Sequence, residues 1–366
     1  MSKNIVICCD GTGNEFGNES SNVVKLYSVL RTGPTQVAYY HPGVGTMGAR
    51  AALTRAGKTW TRIVGLAFGY GLSENIGDAY QFLMNTYEDG DRVFVFGFSR
   101  GAYTARALCG MLHMFGLMSR GNEGMIPYAI RLFKAQPPDL ALAGRFKETF
   151  SREVRPHFLG VWDTVSSVGW IYNAVHFPFT TENPDPRFVR HAVAIDERRT
   201  FYRQNLFRPS AGQTVDQVWF VGAHSDVGGS YPEHQSGLSK ITLAWMMDGA
   251  ELRGLEVNQN KKAQVLGDQA PPDPAGHLHR SLRGWWYVAE LWPKIVHAGG
   301  THKKRLRINR GRARFIPPDA VIHESVRQRM ALPSAPVVSG KPPATVSQEK
   351  YTPTNLPPMP VETMGV

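Results

Sequence analysis

Gly97, Ser99 and Gly101 stand in G-x-S-x-G spacing within Val93-Phe94-Val95-Phe96-Gly97-Phe98-Ser99-Arg100-Gly101-Ala102. A serine hydroxyl is a weak nucleophile until a neighbouring base takes its proton. The setting of this serine is the one that chemistry needs. The apolar, β-branched and aromatic run before it reads as a strand buried on both faces. The segment after it, Ala102-Tyr103-Thr104-Ala105-Arg106-Ala107-Leu108, has helical character. Strand, tight turn and helix in that order make a nucleophile elbow, with the serine exposed at the strand's C-terminal end and a helix N-terminus beside it. The plainer reading is a glycine-rich turn with a serine cap; the flanking elements favour the catalytic one.

Other polar groups also follow apolar runs. Ile5–Cys9 leads to Asp10, His157–Trp162 to Asp163, and Gln217–Val221 to Gly222-Ala223-His224. In open parallel sheets, sites lie outside the carboxyl ends of the strands, so these residues are expected at one rim. Ser99, Asp163 and His224 follow the order nucleophile, acid, base. Imidazole has the acidity to take the serine proton, and a carboxylate fixes its tautomer. Asp226 rivals Asp163 as the acid, and His41, at the end of Gln36–Tyr40, is the fallback base. Asp10 reads as a brace for its loop. Asp196 reads as an ion pair on a helix surface. Oxyanion donors are expected from the backbone of Arg100 and from Gly11 or Thr12 in the first loop. A rival chemistry takes Asp10, Asp163, His224 and Asp226 as ligands of a metal-dependent phosphoester hydrolase. It leaves the elbow unexplained and ranks lower, so no metal and no organic cofactor is expected.

The elements that must position these groups alternate strand and helix. Helical segments are expected over Asn22–Leu30, Asn75–Tyr87, Phe188–Tyr202 and Leu238–Leu252. That alternation predicts an α/β fold of the α/β-hydrolase-like kind, with a mostly parallel central sheet flanked by helices. One catalytic domain over residues 1–330 is expected, with lid-like insertions at 47–75 and 166–187 covering the site. Residues 331–366, rich in proline and small polar residues, read as a disordered tail.

The chain has 366 residues, 42% hydrophobic and 19% charged, enough for a large folded core. Its three cysteines fit neither a disulfide framework nor a thiolate metal site. Met1 leads almost directly into the first strand, without the apolar core of a signal peptide, and no run of about 18 apolar residues occurs. A cytoplasmic protein, or one exported without a cleaved leader, is the expectation. The net charge of +11 suits an anionic membrane surface or phosphate-bearing substrates. The cations of Lys303–Arg314 alternate with apolar residues and read first as the solvated face of an edge strand. The sharper alternative is a non-enzymatic module that binds lipid or nucleic acid. No nucleic-acid partner is expected. Trp285, Trp286, Tyr287 and Trp292 read as core packing.

The motifs CDGTGN at 9–14, YYHPGVGT at 39–46, VFGFSRGAYTAR at 95–106, GVWDTV at 160–165, AIDERR at 194–199 and GAHSDVGGSY at 222–231, with the weaker RGWWYVAELWPK at 283–294, occur in this order. The set resembles the largely uncharacterised bacterial and fungal α/β-hydrolases that include type VI secretion phospholipase effectors. The resemblance implies a serine hydrolase of carboxylic esters, lipase or phospholipase A in character, with Ser99 as nucleophile and its acid and base in the aspartate and histidine motifs. It also implies a phospholipid substrate, a type VI secretion route, and a secretion adaptor or immunity protein as partners.

Overall fold

The computed structural model describes residues 2–11, 19–43, 71–165, 169–170, 173–174, 177–282, 286–290, 294–297, 304–340 and 344–357. Seven strands form the main sheet: β1 (Asn4–Cys9), β2 (Gln36–His41), β3 (Arg92–Phe98), β4 (Phe158–Trp162), β5 (Phe188–Ala194), β6 (Thr214–Phe220) and β7 (Val321–Ile322). Their spatial order is β2-β1-β3-β4-β5-β6-β7, and every pairing is parallel. This is the α/β-hydrolase-like arrangement that the strand–helix alternation predicts. The order reverses direction at β1, so a crevice opens beyond the carboxyl ends of β1 and β3. Ser99 follows β3 directly.

Side-chain alternation divides the core between the two faces of the sheet. Ile5, Ile7, Val93, Val95, Leu159 and Val161 face α2 (Leu72–Thr86) and α3 (Arg100–Phe115). Val6, Phe94, Phe96, Phe158 and Trp162 face the opposite layer, where α1 (Asn22–Val29) and the helix Gly237–Glu251 pack. A third cluster joins Val193, Ile195, Trp219 and Val221 to Ile316, Val326 and Val337 from the C-terminal part of the chain.

Several expectations need correction. Phe188–Tyr202 is not a helix. Its first half is the central strand β5, paired with β4 and β6, with Val189 and His191 through Ala194 buried. A short apolar run covered on both faces has no period that separates strand from helix. The expected disordered tail holds an antiparallel pair, Ala335–Ser339 with Thr345–Glu349, and the first of these strands also pairs with Leu278–His279. The β-branched Val337, Val338, Thr345 and Val346 outweigh the proline there, and Ala335, Val337 and Val338 are buried. Of the first expected lid, residues 47–70 lie outside the described residues, and Leu72 already begins α2. Of the second, Gly169–Trp170 pairs with Asn173–Ala174. Phe177 belongs to the core and stacks on Phe133 instead of covering the site. Asp196 is not on a helix surface: its half-buried carboxylate accepts the Gly222 N–H at 2.7 Å and the Tyr351 hydroxyl at 2.9 Å.

The elbow depends on close backbone approach. A Cβ on Gly97 would lie 2.4 Å from the Gly101 carbonyl oxygen, and one on Gly101 would lie 2.1 Å from the Cys9 carbonyl oxygen. Backbone cannot yield as a side-chain end can. Gly101→Ala is therefore expected to destabilise the fold by about 1–3 kcal/mol. Thermal denaturation of the variant checks this, and an unchanged midpoint would contradict so tight a packing of α3 on β1.

Candidate active site

Ser99 has φ 60° and ψ −118°, a backbone conformation that L residues avoid. The turn holds it there. The Ser99 N–H bonds the Trp162 carbonyl at 3.1 Å, and its own carbonyl accepts the Tyr103 N–H at 3.3 Å, opening α3. Asp163 follows β4 directly, also at positive φ (37°), with its N–H on the Ala192 carbonyl at 2.7 Å. His224 opens the short helix His224–Gly228 after β6, behind the turn residue Gly222 (φ +112°).

These three side chains form one hydrogen-bonded line. His224 Nε2 lies 2.7 Å from Ser99 Oγ, and His224 Nδ1 lies 2.5 Å from Asp163 Oδ2. An ionised carboxylate only accepts, so Nδ1 carries the ring proton and Nε2 is left to accept the serine hydroxyl. Asp163 and His224 are buried, whereas Ser99 is half-buried and the most accessible of the three. Phe98 and Tyr202 pack on the imidazole, with ring centroids 4.6 and 4.7 Å away. Burial lowers the pKa of His224 below the ordinary histidine value, against the opposing pull of Asp163. A neutral imidazole is the form that can take a proton.

Asp163 has a further partner. Arg314 Nη1 donates to Oδ1 at 2.5 Å and Nη2 to Oδ2 at 2.9 Å, and the Ala194 N–H reaches Oδ1 at 3.0 Å. Burial alone would raise the carboxyl's pKa. Arg314 and His224 outweigh burial and hold it well below the usual carboxylate range. Beside the ring, Glu197 accepts the His224 N–H at 3.2 Å and pairs with Arg199 at 2.8 Å. The Arg199 guanidinium lies 3.7 Å over the Tyr202 ring. Burial would raise Glu197, but Arg199 brings it down to about 2.

The other candidates lie elsewhere. Asp10 braces its loop: Oδ2 accepts from Ser21 Oγ at 2.6 Å and Tyr40 OH at 2.8 Å. Its Oδ1 takes the Gly11 N–H at 2.6 Å, which turns that expected oxyanion donor towards Asp10. Thr12 lies outside the described residues. Arg100 is the first residue of α3. Asp226 does not orient His224. Its Oδ2 accepts the Ala223 and His279 N–H groups at 2.9 and 3.0 Å, and its Oδ1 meets His279 Nδ1 at 2.6 Å. His41 faces Asp78 at 3.5 Å. Asp10, Asp163, His224 and Asp226 are thus each engaged by protein partners. Among the described residues no group of three or more His, Cys, Asp or Glu is placed to hold a metal ion.

Sequence reasoning missed Arg314, Glu197 and Arg199. Arg314 ends a run of cations and was absorbed into a solvated face, yet Phe315-Ile316-Pro317 after it marks an apolar setting. Its side chain is 4% exposed.

The catalytic-domain model of the T6SS phospholipase effector Tle1-like family matches residues 3–249, two thirds of the chain and every strand of the main sheet except β7. The chain belongs to this family. An uncharacterized protein of Saccharomyces cerevisiae is 41% identical over 225 residues, covering 57% of this chain and 33% of that protein. The chain thus spans a third of the length of this curated relative. Two solved structures are also similar. A crystal structure of an uncharacterized protein from Pseudomonas aeruginosa is 18% identical, covers 74% of this chain and 49% of its own, and has a TM-score of 0.42. The Tle1 effector bound to the VgrG spike from the type 6 secretion system is 20% identical, covers 65% and 52%, and has a TM-score of 0.36. In this Tle1-like domain no helix among the described residues is long and apolar enough to cross a membrane.

Asp163→Asn would leave Arg314 buried without its counter-charge, and breaking a buried pair in this way costs about 3–5 kcal/mol. Chemical denaturation of the variant checks this. A loss below about 1 kcal/mol would show that the Asp163–Arg314 pair does not hold the rim together.

Proposed function

We propose that this chain is a serine hydrolase of carboxylic esters, with Ser99 as nucleophile, His224 as general base and acid, and Asp163 as the group that orients the imidazole. The observation that carries the reading is the continuous line from Ser99 Oγ through His224 to Asp163, mounted on a strained elbow. Ser99 Oγ attacks the ester carbonyl carbon while His224 Nε2 takes its proton. The tetrahedral oxyanion is held by the Arg100 N–H at the head of α3. Collapse expels the alcohol, which takes the proton from Nε2, and leaves an acyl ester on Ser99. Water, deprotonated by the same nitrogen, then releases the acid.

Membership of the phospholipase effector family supports a phospholipid as the ester. It also supports delivery by a type VI secretion route, with an adaptor or immunity protein as partner. The +11 charge suits the anionic surface on which such a substrate is presented.

A fluorophosphonate probe tests the nucleophile. Labelling of the wild type is expected, undiminished by EDTA. Ser99→Ala is expected to abolish it and to lower phospholipid hydrolysis by at least about 10³-fold. Labelling that survives in a folded Ser99→Ala protein would place the nucleophile elsewhere.

The pH dependence follows from His224. Its folded pKa is lowered, so the neutral base persists as pH falls, and activity is lost only below the ordinary value of about 6.5. A kcat/KM profile on a soluble ester is therefore expected to have its acid limb below that value. A limb above about 7 would contradict the burial of the imidazole.

A further inference from the structure

Arg314 reaches Asp163 from 151 residues further along the chain. It also lies beyond the segment that the family model matches. We propose that Arg314 is a positioning residue of the active site: its fork fixes both carboxylate oxygens of Asp163, and its charge extends towards acid pH the range in which His224 serves as base. The proposal rests on the Ser99–His224–Asp163 reading above.

The geometry supports both parts. The carboxylate of Asp163 receives four donors: two from Arg314, one from His224 and the Ala194 N–H. Its acceptor sites are filled, so it cannot rotate away from the imidazole without breaking a bond to Arg314 or to β5. Arg314 is itself anchored. Nη1 donates to the Ala194 carbonyl at 3.0 Å and Nη2 to the Tyr202 carbonyl at 2.5 Å. Its backbone carbonyl accepts Asn355 Nδ2 at 3.0 Å, and the same amide reaches the Ile195 carbonyl at 3.2 Å. The C-terminal segment thus clamps Arg314 against the end of β5.

The charge effect follows from the same contacts. A carboxylate facing only a histidine draws a proton onto the ring. Here one guanidinium already balances that carboxylate, so its pull on the imidazole is weaker. The other charges around the pair do not replace Arg314. Glu197 and Arg199, after β5, balance each other against the ring. His191 on β5, whose Nε2 accepts the Thr164 N–H at 3.4 Å, is held neutral by burial and by Arg106 of α3, which bring it down to about 3. Ser99 and Tyr202 complete the surroundings.

The test is the rate of fluorophosphonate labelling as a function of pH for wild type, Arg314→Gln, Arg314→Met and Arg314→Lys, each first shown to be folded by a cooperative melt. Gln and Met remove the charge, and Met keeps the apolar volume. In both, the acid limb is expected to move up by about one pH unit or more. Lys keeps the charge but cannot span both oxygens. Its limb is expected to stay near that of the wild type while the plateau rate falls at least about tenfold. A folded neutral variant whose limb does not move overturns the proposal, even if its rate falls evenly at all pH, because an even fall is what a purely structural arginine gives. If neither neutral variant folds, the Lys variant decides: an acid limb near that of the wild type with a plateau rate at least about tenfold lower supports the proposal, and an unchanged plateau overturns it. A wild type that is not labelled at Ser99 refutes the underlying serine reading instead, and is told apart because no variant profile can then be recorded.

Discussion

A carboxylate buried at the rim of a parallel sheet is the constraint on which the rest of this structure turns. Asp163 has left water completely, and an isolated charge there would be costly. Four hydrogen-bond donors compensate it, drawn from three parts of the chain: the end of β5, the helix after β6, and, with two donors from Arg314, the segment that precedes β7. Satisfying this one group fixes how β4, β5 and β6 are registered at their carboxyl ends and where the C-terminal part must dock. The imidazole that meets Ser99 is oriented as part of the same compensation.

The two ends of the sheet are held by different physics. At β1 and β3 the elbow depends on absence of side chains, since Gly97 and Gly101 let backbone touch backbone. At β5 and β6 it depends on buried polar networks: Asp163 with Arg314, Glu197 with Arg199, and Asp226 with His279. The Asp226–His279 pair does not touch Ser99. It caps the turn that begins the His224 helix and ties it to the strand Leu278–His279, so the base is steadied from behind.

What could be read from the sequence has a common character. The apolar runs of β1, β3, β4 and β6 and the glycine spacing around Ser99 are local signals, and local signals also put Asp163 and His224 at strand ends. The sheet and the line of three side chains were legible to that extent. What could not be read depends on partners far away in sequence. β5 looks helical until β4 and β6 are known to flank it. Asp196 looks like a surface ion pair until Tyr351 is brought to it. Asp226 and Asp163 are equivalent aspartates beside apolar strands until His279 claims one and Arg314 the other. The tail looked disordered by composition, because prolines dominate the count while the alternation of buried Ala335 and Val337 is short.

The span between Asp163 and Arg314 has a consequence for how the protein is made. During synthesis Ser99, Asp163 and His224 all emerge before the arginine that pairs with Asp163. Until that segment follows and Asn355 seals it in place, Asp163 has every reason to stay hydrated and the rim to stay open. Assembly of the rim is thereby tied to a segment more than 75 residues beyond His224, so a polypeptide that ends before it carries Ser99, Asp163 and His224 without the clamp that fixes their geometry.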